Sequence, residues 1–433
     1  MTTIFWFRRD LRLEDNAGLY HALLDGGSVL GVFIFDETIL NNLDDPQDLR
    51  VQFLFKTLSD LKSALQKRGS DLIIEKGKPT EVWKALLQSE NPERIYTNHD
   101  YEPSAIARDS AIETLCRSRS VEFKTFKDQV IFERDEIVTE ARKPYTVYTP
   151  YKKKWLASLS DFYLKAYPVE KYLKNLKKVS KPQLMPTLAM LGFKSKDFSF
   201  PSDKVKTSIL KTYAETRDFP AVNDGTTHLG LHLRFGTVSI RALAKKGKET
   251  SAVWLSELIW RDFFMQVLYH FPHVEKRSFR PQYDEVEWRK SNKDFKLWSD
   301  GQTGYPLVDA GMRELNATGF MHNRVRMVTA SFLCKHLLIY WYEGERYFAK
   351  KLLDYDLAAN NGNWQWSAGT GCDAAPYFRV FNPTTQAERF DKDEEYIRKW
   401  VPEYGTSDYV QPMVEHVFAR ERALAAFKKA LKK

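Results

Sequence analysis

Through its first 130 residues the chain alternates between two hydrophobic periods. Short runs dense in β-branched and aromatic residues occur at 3–7, 29–35, 72–75, 94–97 and 122–126. Between them, at 16–24, 49–68, 80–88 and 103–119, apolar positions recur every three or four residues. Strands separated by helices predict a parallel sheet covered on both faces, with any ligand beyond the carboxyl ends of the strands. From 131 to 202 that order is lost, and Pro144, Pro150, Pro168, Pro182, Pro186 and Pro201 punctuate the segment. From 203 to 433 helical period dominates and strand patterns fade. The expected fold class is an α/β N-terminal domain with a parallel doubly wound sheet (1–130), a connector (131–202) and an all-α C-terminal domain (203–433). Residues 418–433 read as a basic amphipathic helix exposed to solvent.

Composition narrows this picture. A hydrophobic fraction of 43% over 433 residues is ample for packed cores. The formal charge of +9 suggests a polyanionic partner. Thirteen Lys/Arg against three Asp/Glu fall between 141 and 200, so the surplus sits in the connector and the rest is near neutral. Net charge alone therefore does not establish nucleic-acid binding. Three cysteines without a CxxC spacing argue against a disulfide framework or structural zinc, and no metal site is expected. The N-terminus lacks a signal-like apolar run and no stretch suits a membrane span, so a cytoplasmic protein without a membrane partner is expected. The first 130 residues contain neither G-x-G-x-x-G nor G-x-x-x-x-G-K-[ST], so nucleotide binding there has no motif support.

Eight of the eleven tryptophans lie in the last 180 residues, and the chemistry-bearing segments lie there too. Residues 354–383 combine Asp354, Asp356, Asn360, Asn361, Trp364, Trp366, several glycines and Arg379. Glycines permit tight bends, indoles offer flat faces, and the amides and acids supply donors and acceptors. The mixture suits a planar heterocycle, and equally a glycine-rich loop with incidental aromatics. Thr226 and Thr227, ahead of Gly230 and a helix-like run, could cap a helix or place free amides around a phosphate. Glu257, Trp260 and Arg261 share a helix face in SELIWRDFF, either as a base-reading cluster or as a surface ion pair beside a core indole. Asn323, Arg324, Arg326 and Met327 form a polar, basic cluster in GFMHNRVRM, leading into an apolar run at 328–338.

Taken in order, WFRRDLRLEDN (6–16), PYTVYTPY (144–151), ELIWRDFF (257–264), TGYPLVDAGMREL (303–315), MHNRVRM (321–327) and the 354–383 segment resemble signatures of the photolyase/cryptochrome family over nearly the whole chain. The likeness is closest to bacterial class I dimer photolyases. It implies an α/β antenna domain, a long connector and a helical domain that binds FAD. Cofactor contacts would come from Tyr213, Thr226, Thr227, His228, Leu229, Gly230, Trp254, Arg261, Asn323, Arg326, Phe348, Asp354, Asp356 and Asn360. Of these, Arg326 and Asp354 would form a buried ion pair over the flavin, and Asn360 would face its central-ring nitrogen, where asparagine is the photolyase choice. Trp364, Trp341 and Trp288 match an electron relay from flavin to surface. Glu257, Trp260, Asn323, Met327 and Trp366 match the pocket for a flipped cyclobutane pyrimidine dimer, and Arg324, Arg379 and Gln386 match contacts to the DNA backbone.

The resemblance thus implies a monomeric enzyme that repairs pyrimidine dimers in DNA by electron transfer from excited, reduced FAD. Repair of (6-4) photoproducts needs a histidine pair, and Met321-His322-Asn323 lacks the second histidine. A signalling cryptochrome is the alternative, with a flavin redox enzyme acting on a small molecule more distant. Two departures stand out. Gly230 replaces the usual loop serine, and Tyr101-Glu102 is followed by Pro103 where folate-binding members carry Asn-Glu. A second antenna chromophore is therefore expected to be a deazaflavin or a flavin rather than a folate, if that site is filled.

Overall fold

The computed structural model describes residues 2–432. Five strands form one sheet: β1 (Thr2–Phe7), β2 (Ser28–Asp36), β3 (Leu72–Gly77), β4 (Arg94–Asn98) and β5 (Glu122–Phe126). The order is β3-β2-β1-β4-β5 and every pairing is parallel. Side chains alternate between faces as the strand period requires. Phe5, Phe7, Val29, Phe33 and Phe35 enter one core, while Ile4, Trp6, Leu30, Val32 and Ile34 enter the other. Helices Ala17–Leu24, Leu49–Gln66, Pro79–Ser89 and Pro103–Ser118 supply the crossovers, within a few residues of the segments read from periodicity.

Strand order reverses between β1 and β4, where an open parallel sheet commonly takes a ligand. The protein's own polar groups occupy this switch point. Asn98 donates to Asp10 at 2.6 Å and to Asn16 at 2.9 Å, and Arg9 pairs with Asp100 at 3.2 Å and Glu102 at 2.9 Å. The guanidinium groups of Arg9 and Arg8 hold the buried Asp100 well below the usual carboxylate range, against the opposing effect of burial.

The compact units do not follow the sequence boundaries at 130 and 202. One comprises 1–133, 158–204 and 229–249; the other comprises 134–157, 205–228 and 250–433. Residues 158–204 are no free connector. Val169, Leu176, Leu191 and Phe193 are buried in the same core as Phe5 and Phe33, and Lys177 donates its amide to Val29 at 2.7 Å. Their apolar positions are widely spaced, so no local period announces them.

The second unit is helical. Helices Ala252–His270, Asn323–Ser331, Trp341–Lys351 and Leu357–Ala368 carry most of the candidate site. A π-turn, Phe332–His336, continues Asn323–Ser331. The last helix, His416–Ala430, is not the solvated element its charge suggests: Ala419, Ala423, Phe427 and Ala430 form a buried stripe. Among the described residues no helix is long and apolar enough to cross a membrane.

Candidate functional site

Helix Leu357–Ala368 builds one wall of a cleft. Asp356 caps it, accepting from the Ala359 amide at 3.1 Å. Asn360, Asn363, Trp364 and Ser367 follow at helical spacing and line the cleft. The tandem amides divide. Asn360 faces the cleft, whereas Asn361 is buried on another face and donates to Val274 O at 2.8 Å. Trp366 is half-buried and does not line the cleft with Trp364.

The facing wall is helix Asn323–Ser331, which contributes Asn323, Arg326, Met327 and Ala330. Arg326 is fixed at both ends: Nε donates to Met321 O at 2.7 Å, and an amino group bonds Asp354 Oδ2 at 2.9 Å. Asp354 Oδ1 is buried with no hydrogen-bond partner among the described residues. A buried acceptor left unpaired is costly, so this atom marks the place for a donor from a ligand. Phe348, set edge-on to Trp364 at 4.9 Å, and Leu352 add apolar surface.

A residue not singled out from the sequence orients this cleft. Glu345 is 3% exposed. Asn360 donates to Glu345 Oε1 at 2.9 Å and to its backbone oxygen at 3.2 Å. Those two bonds use the amide hydrogens and leave the Asn360 carbonyl oxygen as its polar group for the cleft. Burial raises the Glu345 carboxyl from 4.5 to about 7, against the lowering effect of the Asn360 amide.

Thr226 and His228 line a neighbouring cavity of about 400 Å³ with Glu314, Phe320, His322 and Lys399. His228 adopts a positive φ of 50° and packs on Phe320 at 4.5 Å. Thr227 is half-buried in the same loop. Neither threonine caps the following helix. Its N-cap is Leu229, which has no side-chain bond, and the helix, Gly230–Phe235, is only six residues long. Leu229 and Gly230 belong to the first compact unit.

Helix Ala252–His270 positions Trp254, Glu257, Trp260 and Arg261. Trp254 is buried, and Trp260 stacks on Tyr148 at 3.5 Å with planes 6° apart. Glu257 is ion-paired to Arg217, a second residue overlooked in the sequence, where an arginine at a helix end is unremarkable. Arg217 lies 5.4 Å over the ring of Tyr213, whose hydroxyl burial pushes well above its ordinary range. Asp218 extends the network to Arg324 at 2.8 Å, and Arg324 lies 4.1 Å over Phe390. Arg379 is exposed in an irregular loop, while Gln386 lies on helix Pro383–Phe390 with Oε1 buried and without a hydrogen-bond partner among the described residues.

The three tryptophans of the expected relay share one neighbourhood. Trp341 and Trp364 are buried in a common core, with Trp288 packed against it. A Cβ on Gly344, one turn beyond Trp341, would lie 2.2 Å from the Trp364 ring, so glycine there admits the indole. Trp288 sits 5.8 Å from Tyr340, which contacts Trp341 at 5.5 Å.

Comparison with known proteins bears on this arrangement. Residues 254–407 match the FAD binding domain of DNA photolyase, and residues 3–171 match the DNA photolyase domain. The chain is 37% identical to a deoxyribodipyrimidine photo-lyase of Escherichia coli, covering 100% of both chains. It is 36% identical to one of Halobacterium salinarum, covering 99% of both. Among solved structures, a class III photolyase of Agrobacterium tumefaciens superposes with a TM-score of 0.88 at 33% identity, covering 100% of this chain and 98% of that one. An archaeal photolyase from Sulfolobus tokodaii with two FAD molecules gives 0.83 at 33%, covering 99% of this chain and 100% of that one.

Proposed function

The chain belongs to the DNA photolyase family, and we propose that it is a deoxyribodipyrimidine photo-lyase that uses FAD and light to split cyclobutane pyrimidine dimers in DNA. The observation that carries this reading is the Arg326–Asp354 pair beside Asn360, with Asp354 Oδ1 buried and waiting for a donor. These residues fit a flavin: a fixed cation, an unpaired acceptor and an amide oxygen suit a heterocycle bearing N–H and carbonyl groups. Arg326, Asp354, Asp356, Asn360, Asn323 and Phe348 would hold its ring system, and Tyr213, Thr226, Thr227 and His228 its phosphate side. Bound there, FAD supplies a light-absorbing one-electron donor.

The chain's own residues bind, orient and exclude water. Glu257, held by Arg217 through one oxygen, keeps the other to accept from a pyrimidine N–H. Trp260, steadied by Tyr148, and Met327 and Trp366 would pack against the saturated rings of a flipped dimer, which costs less to unstack than a normal base pair. Asn323 stands where (6-4) repair would need the second histidine of the pair, which argues against that activity. His322 accepts at Nδ1 from the Arg324 amide at 3.1 Å, and its ring lines the neighbouring cavity. Arg324, Arg379 and Gln386 would contact the strand on either side. Tyr101-Glu102 is followed by Pro103 at the start of helix Pro103–Ser118, and that departure favours a deazaflavin or a flavin over folate as a second chromophore.

Light-dependent repair of an oligonucleotide containing one dimer tests the reading. Absence of repair by fully reduced protein under blue light would sink it, and dark turnover of NAD(P)H would favour a redox enzyme. For the relay, Trp288→Phe is expected to slow photoreduction of oxidised flavin while repair by pre-reduced protein stays near wild type. Equal loss of both would remove Trp288 from the electron path.

A further inference from the structure

The π-turn Phe332–His336 buries a lysine that the cofactor cleft does not use. Lys335 is 1% exposed, and among the described residues it has no carboxylate partner. A lysine is almost never fully buried without a pairing charge, so its retention calls for a local purpose. Its ammonium nitrogen lies 3.6 Å over the ring of Phe427, on the C-terminal helix, and donates to Tyr377 O at 3.2 Å. Tyr377 and Phe427 are themselves stacked, 5.7 Å apart with planes 2° off parallel. Gly369, at φ +82°, closes the arrangement: a Cβ there would come within 3.3 Å of the lysine nitrogen. One side chain thus links the irregular loop after helix Leu357–Ala368 to the last helix of the chain.

Near its start the loop is held by buried Thr370 and Cys372 and by the Tyr148 amide, which donates to Asp373 Oδ2 at 3.0 Å; the lysine's bond falls further along, at Tyr377. The loop contains no helix or strand from Gly369 to Asn382, and Phe378 is 60% exposed directly beside the exposed Arg379. Arg379 lies 5.5 Å over Phe381. An exposed phenyl ring next to an arginine offers a stacking face and a charge, and unstacked bases and phosphates are suitable partners for the two. Burial pulls the lysine down to about 7, and in either protonation state the nitrogen can donate to the Tyr377 carbonyl. The bond to the loop therefore does not need a charge that would have to be desolvated.

We propose that Lys335 is a positioning residue for damaged DNA: it clamps the 369–381 loop to the C-terminal helix so that Phe378 and Arg379 are held in place before the strand arrives. The proposal rests on reading that loop as DNA-facing. Pre-ordering removes from binding the entropy of fixing a loop. The clamp therefore acts on affinity and leaves the chemical step untouched.

The test compares flavin-loaded Lys335→Met, Phe427→Leu and Arg379→Ala with the wild-type protein. Methionine keeps the length and apolar stem but cannot bond the carbonyl; leucine fills the Tyr283, Val286 and Leu338 cluster but removes the ring. For Lys335→Met the expected Kd for dimer-containing duplex rises about tenfold, the scale of ordering one or two side chains and their loop. Its single-turnover repair rate at saturating DNA is expected to be unchanged, and trypsin should cut after Arg379 faster than in wild type. Phe427→Leu is expected to move both readouts the same way, and it decides the matter should Lys335→Met not fold. If Arg379→Ala binds dimer DNA normally, the DNA-facing reading of the loop fails and the clamp with it. If Arg379→Ala weakens binding while the two clamp variants bind and resist trypsin like wild type, the clamp alone is wrong. A lower saturated rate in the clamp variants would equally overturn it, since that would place Lys335 in general core support.

Discussion

Asp354→Ala is expected to purify largely without flavin. The carboxylate does two things that no neighbour can take over. It neutralises Arg326, to which it is bonded at 2.9 Å, and it presents the buried, unpaired Oδ1 to the cleft. Its removal leaves a half-buried guanidinium held by Met321 O without a counter-charge and takes away a charged acceptor for the cofactor. Hydrogen bonds to charged groups contribute about 1.5–3 kcal/mol, so a Kd for FAD about 10- to 150-fold weaker is expected. Asp354→Asn, which keeps an acceptor but not the charge, should fall between. Flavin absorbance per protein after gel filtration, followed by titration with FAD, measures both. A flavin content equal to wild type in Asp354→Ala would mean that the pair is structural and that the ring system lies elsewhere.

The strands and helices were legible in the sequence because local pattern was enough to show them, whereas the site residues were legible through ordered motifs. The five strands could be read because their faces alternate between two cores, as Phe5 and Trp6 do. Asp354, Asp356 and Asn360 were legible as a polar, amide-bearing group, but their cofactor roles came from the family resemblance, and only the folded helix shows Asp356 capping it and Asn360 facing the cleft. The rest depends on contacts distant in sequence. Val169 and Phe193 look like linker residues until they meet Phe5 in one core. Trp366 follows Trp364 by two residues, yet helical geometry turns it away from the cleft that Asn360 and Trp364 share. Lys335 hides in an apolar run because a π-turn, which no periodic pattern announces, carries it into the core. Glu345 is hidden for a related reason. On the amphipathic helix Trp341–Lys351 it sits between Gly344 and Arg346 like any surface acid, and only helix Leu357–Ala368 packing beside it reveals the partner.

That buried acid sets a large, signed expectation for stability against pH. Burial raises the Glu345 carboxyl from 4.5 to about 7, with nearby Glu275 adding to the rise and the amide of Asn360 opposing it. Between those two values the folded protein keeps a proton that the unfolded chain has already lost. Stability from this group is therefore fully present below about 4.5 and is lost as pH rises to about 7. Above that the folded state carries an ionised carboxylate held in an apolar surround, whose penalty is on the order of 3 kcal/mol. Glutamine keeps an oxygen to accept from Asn360 and cannot ionise. Glu345→Gln should therefore match wild type near pH 4.5 and gain an advantage that grows up to pH 7 and then levels off. Urea unfolding midpoints of both proteins from pH 5 to 8 give the difference directly. Parallel curves would show that Glu345 ionises as readily folded as unfolded, and a constant offset would assign the change to packing. In the widening-gap outcome the chain tolerates an unfavourable acid at a position where it helps fix which end of Asn360 the cleft sees, and Glu345→Leu, which keeps only the backbone acceptor at 3.2 Å, should hold that amide less firmly.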